Sequence, residues 1–231
     1  MRQAVSKHAG GQVLSRHHSH LIETRSRETL PLPVTGVILC GGKSSRMGTA
    51  KAFLPYAGST FVEHRLNMMR ELFAEVLIVA NDPDAYWSLS VDVVKDILPD
   101  RGPLVGILSA LLVCQHEHVF AVACDMPLVD NRLMRQMSQS RHDTDVLVLE
   151  HQDGIEPLLG LYSKRCIKPM EEAIFAGNLK TMDFLAGVSA RTFKFEEPAS
   201  QMPAYFNVNT PQEYTAILSA DTRRPVLPSR F

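Results

Sequence analysis

From Val34 onward, short apolar runs alternate with segments that have the 3.6-residue period of amphipathic helices, and this alternation constrains the fold more than any other feature. Strands that alternate with helices form a mostly parallel sheet with helices on both faces. The predicted strands are Val34–Cys40, Val76–Ala80, His118–Cys124, Asp145–Leu149, Pro157–Tyr162 and Arg191–Phe195. We therefore predict an α/β fold in which a mostly parallel sheet lies between two helical layers.

Helix signals fill the intervals between these strands. Ser59 or Thr60 can cap a helix whose apolar residues share one face. A last helix is predicted after Thr210, because Pro211 suits its first turn and Glu213 completes a capping box. The other predicted helices are Pro103–Gln115, Val129–Ser138, Lys164–Ala176 and Leu179–Leu185.

The first 33 residues have a different character from the rest of the chain. They contain few large apolar side chains, carry an excess of basic residues and end at Pro31 and Pro33. Such a segment buries too little surface to offset the entropy lost on ordering. We therefore predict a flexible tail over residues 1–33, one domain over residues 34–220 and a short C-terminal tail over residues 221–231.

Composition excludes several functional classes. The net charge of −1 over 231 residues gives no general basic field for binding nucleic acid. No apolar run reaches membrane-spanning length, and the N-terminus has no apolar segment typical of a secretion signal. The four cysteines form no zinc-binding pattern, and we interpret them as free thiols in a reducing compartment. We expect a cytoplasmic protein that binds neither membranes nor nucleic acid.

A glycine-rich segment follows the first predicted strand, at the end of the sheet where α/β proteins bind ligands. Gly41 and Gly42 allow close approach of a ligand to the backbone, and successive amides in such a loop can surround phosphate oxygens. Hydroxyl and cationic side chains follow at Ser44, Ser45, Arg46 and Lys51. Glycines alone would also suit an ordinary tight turn, but this combination predicts a phosphate-binding loop.

A P-loop is excluded by the spacing of the glycines. Gly42-Lys43-Ser44 resembles the end of that motif, which requires a glycine five residues before its second glycine. Position 37 is valine, and the nearest glycine, Gly36, lies one residue too early. The loop must therefore bind phosphate in another way.

Two further polar residues, Asn81 and Asp125, directly follow predicted strands, and a third, Asp96, precedes the segment Arg101-Gly102-Pro103. Asp125 directly follows the strand His118–Cys124 and is a candidate ligand for Mg²⁺, which takes few carboxylates together with water and phosphate oxygens. Asn81 could contact a base or ribose, and Asp96 could accept two hydrogen bonds from guanine. Ordinary turn chemistry explains Asn81 and Asp96 equally well.

Taken together, these motifs closely resemble one family, the molybdenum cofactor guanylyltransferases, from roughly Thr35 to Leu218. The motifs that carry the resemblance are L-C-G-G-K-S-S-R-M-G-x-x-K from Leu39 to Lys51, N-D at Asn81, D-x(5)-G-P-L-V-G-I from Asp96 to Ile107, C-D-M-P from Cys124 to Pro127 and F-N-V-N-T-P from Phe206 to Pro211. The resemblance implies the Rossmann-like fold of nucleotide-diphospho-sugar transferases, with three α/β/α layers. The match is weak between Glu150 and Ala190.

The resemblance also implies an activity and a set of site residues. Members of the family transfer GMP from GTP to the phosphate of the molybdopterin cofactor and release pyrophosphate. The residues implied to bind GTP are Leu39, Cys40, Gly41, Gly42, Lys51, Asn81, Asp96 and Asp125. Arg46, Lys51 and Asp125 would be catalytic, with Mg²⁺ on Asp125. Lys180, Asn207 and Asn209 would lie on the acceptor side.

Three alternatives remain open at this stage. A CTP-dependent cytidylyltransferase for the same cofactor more often has Ala-Gly where this chain has Gly41-Gly42. A sugar-1-phosphate nucleotidyltransferase shares the first and fourth motifs. A regulator that binds nucleotide without turnover would not need Asp125, Lys51 and Arg46 together. Besides GTP and molybdopterin, the resemblance suggests as partners other molybdenum cofactor biosynthesis proteins or acceptor molybdoenzymes.

Overall fold

The computed structural model describes residues 30–41, 51–196 and 202–221. From Pro31 onward these residues belong to one compact unit. The strands within them are β1 (Leu32–Leu39), β2 (Pro55–Tyr56), β3 (Ser59–Thr60), β4 (Phe73–Ala80), β5 (Asp92–Lys95), β6 (His118–Ala123), β7 (Val146–His151), β8 (Gly154–Ser163) and β9 (Ala190–Lys194). The helices are α1 (Phe61–Arg70), α2 (Pro103–Val113), α3 (Asn131–Gln139), α4 (Ile167–Phe175), α5 (Thr181–Leu185) and α6 (Pro211–Asp221).

Seven strands form one sheet in the order β5-β4-β1-β6-β8-β7-β9, and β2 pairs with β3 in a separate hairpin. The strands from β5 to β6 are parallel neighbours, and β9 is parallel to β7. Only β8 runs antiparallel to its neighbours β6 and β7 in this sheet. The two-residue turn between β7 and β8 requires this, because so short a connection cannot join parallel strands. The prediction of a mostly parallel sheet is confirmed.

Each face of the sheet is covered by its own apolar cluster. Val34 and Ile38 of β1 pack on the side of α1 and α3, whereas Val37 and Leu39 pack on the side of α2 and α4. This division follows from the two-residue period of a strand, which sends successive side chains to opposite faces. The three-layer α/β/α fold predicted from the alternation is therefore confirmed.

Helix caps agree with the sequence signals. Thr60 caps α1 in a capping box with Glu63, and Thr210 and Glu213 exchange the corresponding bonds at the start of α6. Pro103 occupies the first turn of α2, directly after Gly102, whose φ of 95° lies in the region that favours glycine.

Several predicted boundaries differ from the structure. β1 begins at Leu32, within the predicted tail, and the rest of that tail up to residue 29 lies outside the described residues, as does the segment after residue 221. The segment predicted as one helix from Lys164 begins with a short 3₁₀ turn and becomes α-helical only at Ile167. The sequence did not predict β2, β3 and β5, because runs of two to four residues show no distinguishable period.

Candidate active site

A cavity of about 660 Å³ opens at the carboxyl ends of β1, β4 and β6. Strand β1 lies between β4 and β6. After β1 the chain first adds β4 and β5 along one edge of β1, and it later adds β6 along the opposite edge. Open α/β sheets bind ligands at such a reversal of strand order. The volume lies within the range that small organic ligands occupy in proteins.

The cavity brings together residues that are far apart in the sequence. The sequence-predicted site residues that line it are Leu39, Cys40, Gly41, Lys51, Asn81, Asp96 and Asp125. Gly42 and Arg46 lie outside the described residues. Lys180, Asn207 and Asn209 do not line the cavity, and their positions are given below.

Backbone hydrogen bonds extend the sheet one residue beyond β1 and β6. The Cys40 amide donates to the Val79 carbonyl at 2.8 Å, and the Cys124 amide donates to the Leu39 carbonyl at 3.1 Å. The residues that follow, Gly41 and Asp125, therefore leave the sheet at neighbouring strand ends. The start of the predicted phosphate loop and the predicted metal ligand face the same cavity for this reason.

Lys51 connects two oxygen ligands at one end of the cavity. Its ammonium group donates to Asp125 Oδ2 at 3.0 Å and to Asn209 Oδ1 at 2.5 Å. The side chains of Lys51 and Asp125 are 18% and 19% exposed, so solvent only partly screens the pair. The Val208 amide donates to the Asp125 carbonyl at 2.9 Å, which fixes the segment that contains Asn209 beside Asp125.

A buried arginine, which the sequence analysis did not single out, fixes the loop that follows Asp125. Arg65 of α1 is 1% exposed, and its guanidinium donates to the carbonyls of Met126, at 2.6 Å, and Val129. Burial lowers the pKa of Arg65 to about 10, although the nearby Asp130 charge acts in the opposite direction. A charged residue on an otherwise apolar helix face was the signal that could have identified it.

Carboxylate and amide oxygens surround the opposite end of the cavity. Asp96 accepts from the Ser109 hydroxyl at 3.2 Å, and burial raises the pKa of its carboxyl. Asn81 donates through Nδ2 to Asp100 at 3.1 Å, while its Oδ1 is buried without a partner among the described residues. A buried acceptor without a partner is costly, so this oxygen is available to a ligand that donates.

Other residues of this end were not identified from the sequence. Asp100 and Tyr86 line the cavity, and Ser109 holds Asp96 through its hydroxyl. Burial raises the pKa of Tyr86, whose hydroxyl lies close to the Cys40 thiol. Tyr86 and Ser109 lie outside the motifs, and Asp100 is an unspecified position between Asp96 and Gly102, so the motifs did not identify them.

The three residues predicted for the acceptor side separate into two places. Asn207 and Asn209 flank Val208 beside Asp125, and the Asn207 amide donates to the Tyr205 carbonyl at 3.3 Å. Lys180 is exposed. The carbonyl oxygen of the preceding residue, Leu179, lies 4.0 Å from the position that a Cβ atom would take at Gly102. Lys180 therefore lies near the start of α2, whereas the two asparagines lie beside Asp125.

Glu156 of β8 is a further acidic residue on the side of the asparagines. Burial raises the pKa of its carboxyl, while hydrogen bonds from the Leu158 amide and the Asn207 side chain favour the ionised form. Asp125 is among the charges that act on it. Glu156 was not predicted from the sequence, because it falls in the region where the resemblance is weak.

The oxygen ligands near Lys51 fit a magnesium ion. The Asp125 carboxylate and the Asn209 amide oxygen both contact the same ammonium group, so a cation already occupies the space between them. Within the described ranges, no three histidine, cysteine or acidic residues cluster in a way that could enclose a metal. Mg²⁺ does not need such a cluster, because it usually binds one or two carboxylates with water and substrate phosphates.

The fold and this cavity are those of a nucleotidyltransferase with the nucleotide-diphospho-sugar transferase fold. A family model described as "MobA-like NTP transferase domain" matches residues 36–191. In keeping with that match, the chain belongs to the molybdenum cofactor guanylyltransferase family.

Individual relatives agree with this assignment. The chain is 39% identical over 188 residues to a probable molybdenum cofactor guanylyltransferase of Carboxydothermus hydrogenoformans, with 80% of this chain and 95% of the relative covered. It is 37% identical to the corresponding protein of Pelotomaculum thermopropionicum, with 79% and 90% covered. The crystal structure of molybdopterin-guanine dinucleotide biosynthesis protein A from Archaeoglobus fulgidus superposes with a TM-score of 0.71 at 22% identity, covering 83% of this chain and all of that one. That structural likeness supports the fold.

None of the helices in the described part of the chain is both long and apolar enough to cross a bilayer.

Proposed function

We propose that this protein transfers GMP from GTP to the terminal phosphate of the molybdopterin cofactor in a magnesium-dependent reaction. The observation that carries the proposal is a single cavity with guanine-compatible acceptors at one end and Asp125 with Lys51 at the other, where Lys51 also contacts Asn209 beside the cavity. The identity of the acceptor substrate is proposed from the names of the relatives, which are called molybdenum cofactor guanylyltransferases.

Base selection rests on Asp96 and Asn81. Guanine presents two adjacent donors, N1–H and the 2-amino group, and a carboxylate such as that of Asp96 can accept from both. The free Oδ1 of Asn81 offers another acceptor to the nucleoside. Adenine and cytosine lack this pair of donors, so binding either base leaves buried acceptors unpaired and favours GTP.

The transfer step occurs at the other end of the cavity. An oxygen of the acceptor phosphate attacks the α-phosphorus of GTP and forms a new P–O bond, while the bond to the bridging oxygen breaks and its electron pair leaves with pyrophosphate. The acceptor phosphate is already ionised, so the step needs no general base. Positioning and charge stabilisation account for most of the catalysis in such reactions.

Lys51 and Asp125 provide the charge complementarity for this step. Mg²⁺, held by the oxygens of Asp125 and Asn209 together with phosphate oxygens, would neutralise charge at the reacting phosphates. Lys51 has a long, flexible stem, so its ammonium can turn from Asp125 toward the leaving pyrophosphate when GTP binds. Arg46, predicted from the sequence, would contact the triphosphate.

The reaction is proposed to take place in the cytoplasm. The four cysteines are free, which suits a reducing compartment. The product would pass to other molybdenum cofactor biosynthesis proteins or to an acceptor molybdoenzyme.

The test is a nucleotide panel with purified protein and molybdopterin. GTP, ATP and CTP would each be supplied with Mg²⁺, and both pyrophosphate and the dinucleotide product would be measured. We expect product with GTP and at least a hundredfold less with ATP or CTP. Efficient transfer from CTP would support a cytidylyltransferase instead, and GTP binding without pyrophosphate release would support a regulator.

A further inference from the structure

Strand β8 is irregular where it passes Asp125. Its pairing with β7 runs regularly to the pair Val148–Gly160, but the next pair joins Leu149 to Glu156, so residues 157–159 are extra on β8. The hydroxyl of Tyr162, which is fully buried, donates to the Pro157 carbonyl at 2.6 Å and fixes this bulge. Bulges beside functional sites redirect side chains, and proline suits one because it has no amide hydrogen to pair.

The bulge places Glu156 next to the segment that contains the two asparagines. The amide of Leu158, which lines the cavity, donates to Glu156 Oε1 at 3.1 Å. The Asn207 side chain lies within hydrogen-bonding reach of the same carboxylate. The ring of His151 at the end of β7 stacks on Tyr205, with centroids 3.9 Å apart, and so joins the β7–β8 turn to the segment before Asn207.

These contacts fix the orientation of the Asn207 amide. Its nitrogen carries two hydrogens, and the Tyr205 carbonyl and the Glu156 carboxylate are both acceptors. With the nitrogen held by these two acceptors, the oxygen is the end that remains available. The neighbouring Asn209 likewise uses its oxygen, which accepts from Lys51.

We propose that Glu156 is a positioning residue, which holds the Asn207 amide so that its oxygen accepts a hydrogen bond from the acceptor substrate. The inference rests on the proposed function for the identity of that substrate. An amide held in this way cannot donate to phosphate oxygens. Asn207 therefore recognises a donor group of the acceptor, and Glu156 acts only through Asn207.

A double-mutant cycle tests whether Glu156 acts through Asn207. Glu156→Ala should reduce kcat/KM for the acceptor about tenfold, the usual scale for residues that orient a functional side chain. In an Asn207→Ala background the same change should cost less than twofold, because there is no amide left to orient. Equal losses in both backgrounds would show that Glu156 acts independently and would overturn the proposal.

A reciprocal exchange of residues tests whether the oxygen or the nitrogen of the Asn207 amide contacts the acceptor substrate. Asn207→Asp alone places two carboxylates together and should lose at least tenfold in kcat/KM. Adding Glu156→Gln restores a donor facing an acceptor while an oxygen still faces the substrate, so activity should recover at least threefold. Absence of recovery would mean that the nitrogen of Asn207 contacts the substrate and would overturn the proposal.

Binding and stability measurements separate this role from a purely structural one. The GTP affinity of the Glu156→Ala variant should remain within twofold of the wild-type affinity, because Glu156 does not line the nucleotide cavity. Glu171→Ala, an exposed change on α4, is the control and should alter neither activity nor melting temperature. A melting temperature of Glu156→Ala more than about 5 °C lower, with GTP affinity reduced as well, would overturn the positioning role. Failure of the proposed function is distinguishable, since the unchanged protein would then make no product.

Discussion

Replacing Arg65 with methionine should harm catalysis more than stability. The exchange removes the guanidinium but keeps a long, helix-compatible side chain. It leaves the carbonyls of Met126 and Val129 without their donors, and a buried unpaired acceptor costs about 1–3 kcal/mol. The two together amount to roughly 2–6 kcal/mol.

The burial of a charge works in the opposite direction. The lowering of the Arg65 pKa to about 10 corresponds to roughly 3 kcal/mol against the charged form in the folded protein. Methionine removes this cost, as replacement of buried charges by apolar side chains often does. The expected net effect on the free energy of unfolding therefore ranges from a gain of about 1 kcal/mol to a loss of about 3 kcal/mol, or a fall in melting temperature of up to roughly 10 °C.

Catalysis has no such compensation. Without the guanidinium, the loop from Met126 to Val129 loses its attachment to α1, and Asp125 lies at the start of that loop. A displacement of about 1 Å in a reacting group can cost a hundredfold in rate, so we expect kcat to fall at least tenfold. Denaturant unfolding and turnover at saturating GTP would measure the two effects.

Arg70→Met is the matched control. Arg70 lies on the same helix and also donates to two carbonyls, those of Leu89 at 3.0 Å and Ser90 at 2.6 Å, but it is exposed and remote from Asp125. Water can replace its hydrogen bonds, so both stability and kcat should change little. Normal turnover in a folded Arg65→Met protein would refute the reasoning, as would an unfolding loss far above 3 kcal/mol with kcat unchanged.

Three further predictions concern the site and the tail. Asp125→Asn should keep the fold but lose most activity, because a neutral amide binds Mg²⁺ poorly; near-normal turnover at low Mg²⁺ would contradict the metal assignment. Asp96→Ala should reduce the preference for GTP over ATP and CTP more than it slows transfer, and an unchanged preference in competition assays would exclude a base-reading role. Removal of residues 1–30, which ends before β1, should leave GTP affinity within tenfold and the melting temperature within about 5 °C; a larger change in titration or thermal melt would show that the segment contributes to the site or the fold.

Prediction from the sequence succeeded where a local pattern has one physical meaning. The alternation of apolar runs and helical periods specified the layers of the fold, and a cap at Ser59 or Thr60 and the capping box at Thr210 marked helix starts. It also placed Gly41, Asn81 and Asp125 after strands, and parallel strands bring such positions to one edge of the sheet. The roles assigned to these residues remain predictions.

Prediction failed where the partner of a residue is distant in the chain. Arg65 donates to carbonyls more than sixty positions away, and Glu156 meets Asn207 only because a bulge redirects β8. The acceptor-side role of Lys180, which lies near the start of α2, stays a prediction.

The sequence by itself determined the helices, the longer strands and the chemical groups that follow the strands, because helical and strand periods and turn residues act over a few positions. Tertiary structure decided which of these groups meet. The reversal of strand order around β1 creates the cavity, and the position of the Val208 segment against Asp125 brings Asn209 to Lys51. Such meetings depend on burial and backbone hydrogen bonding summed over the whole domain, and residue spacing along the chain carries no record of that sum.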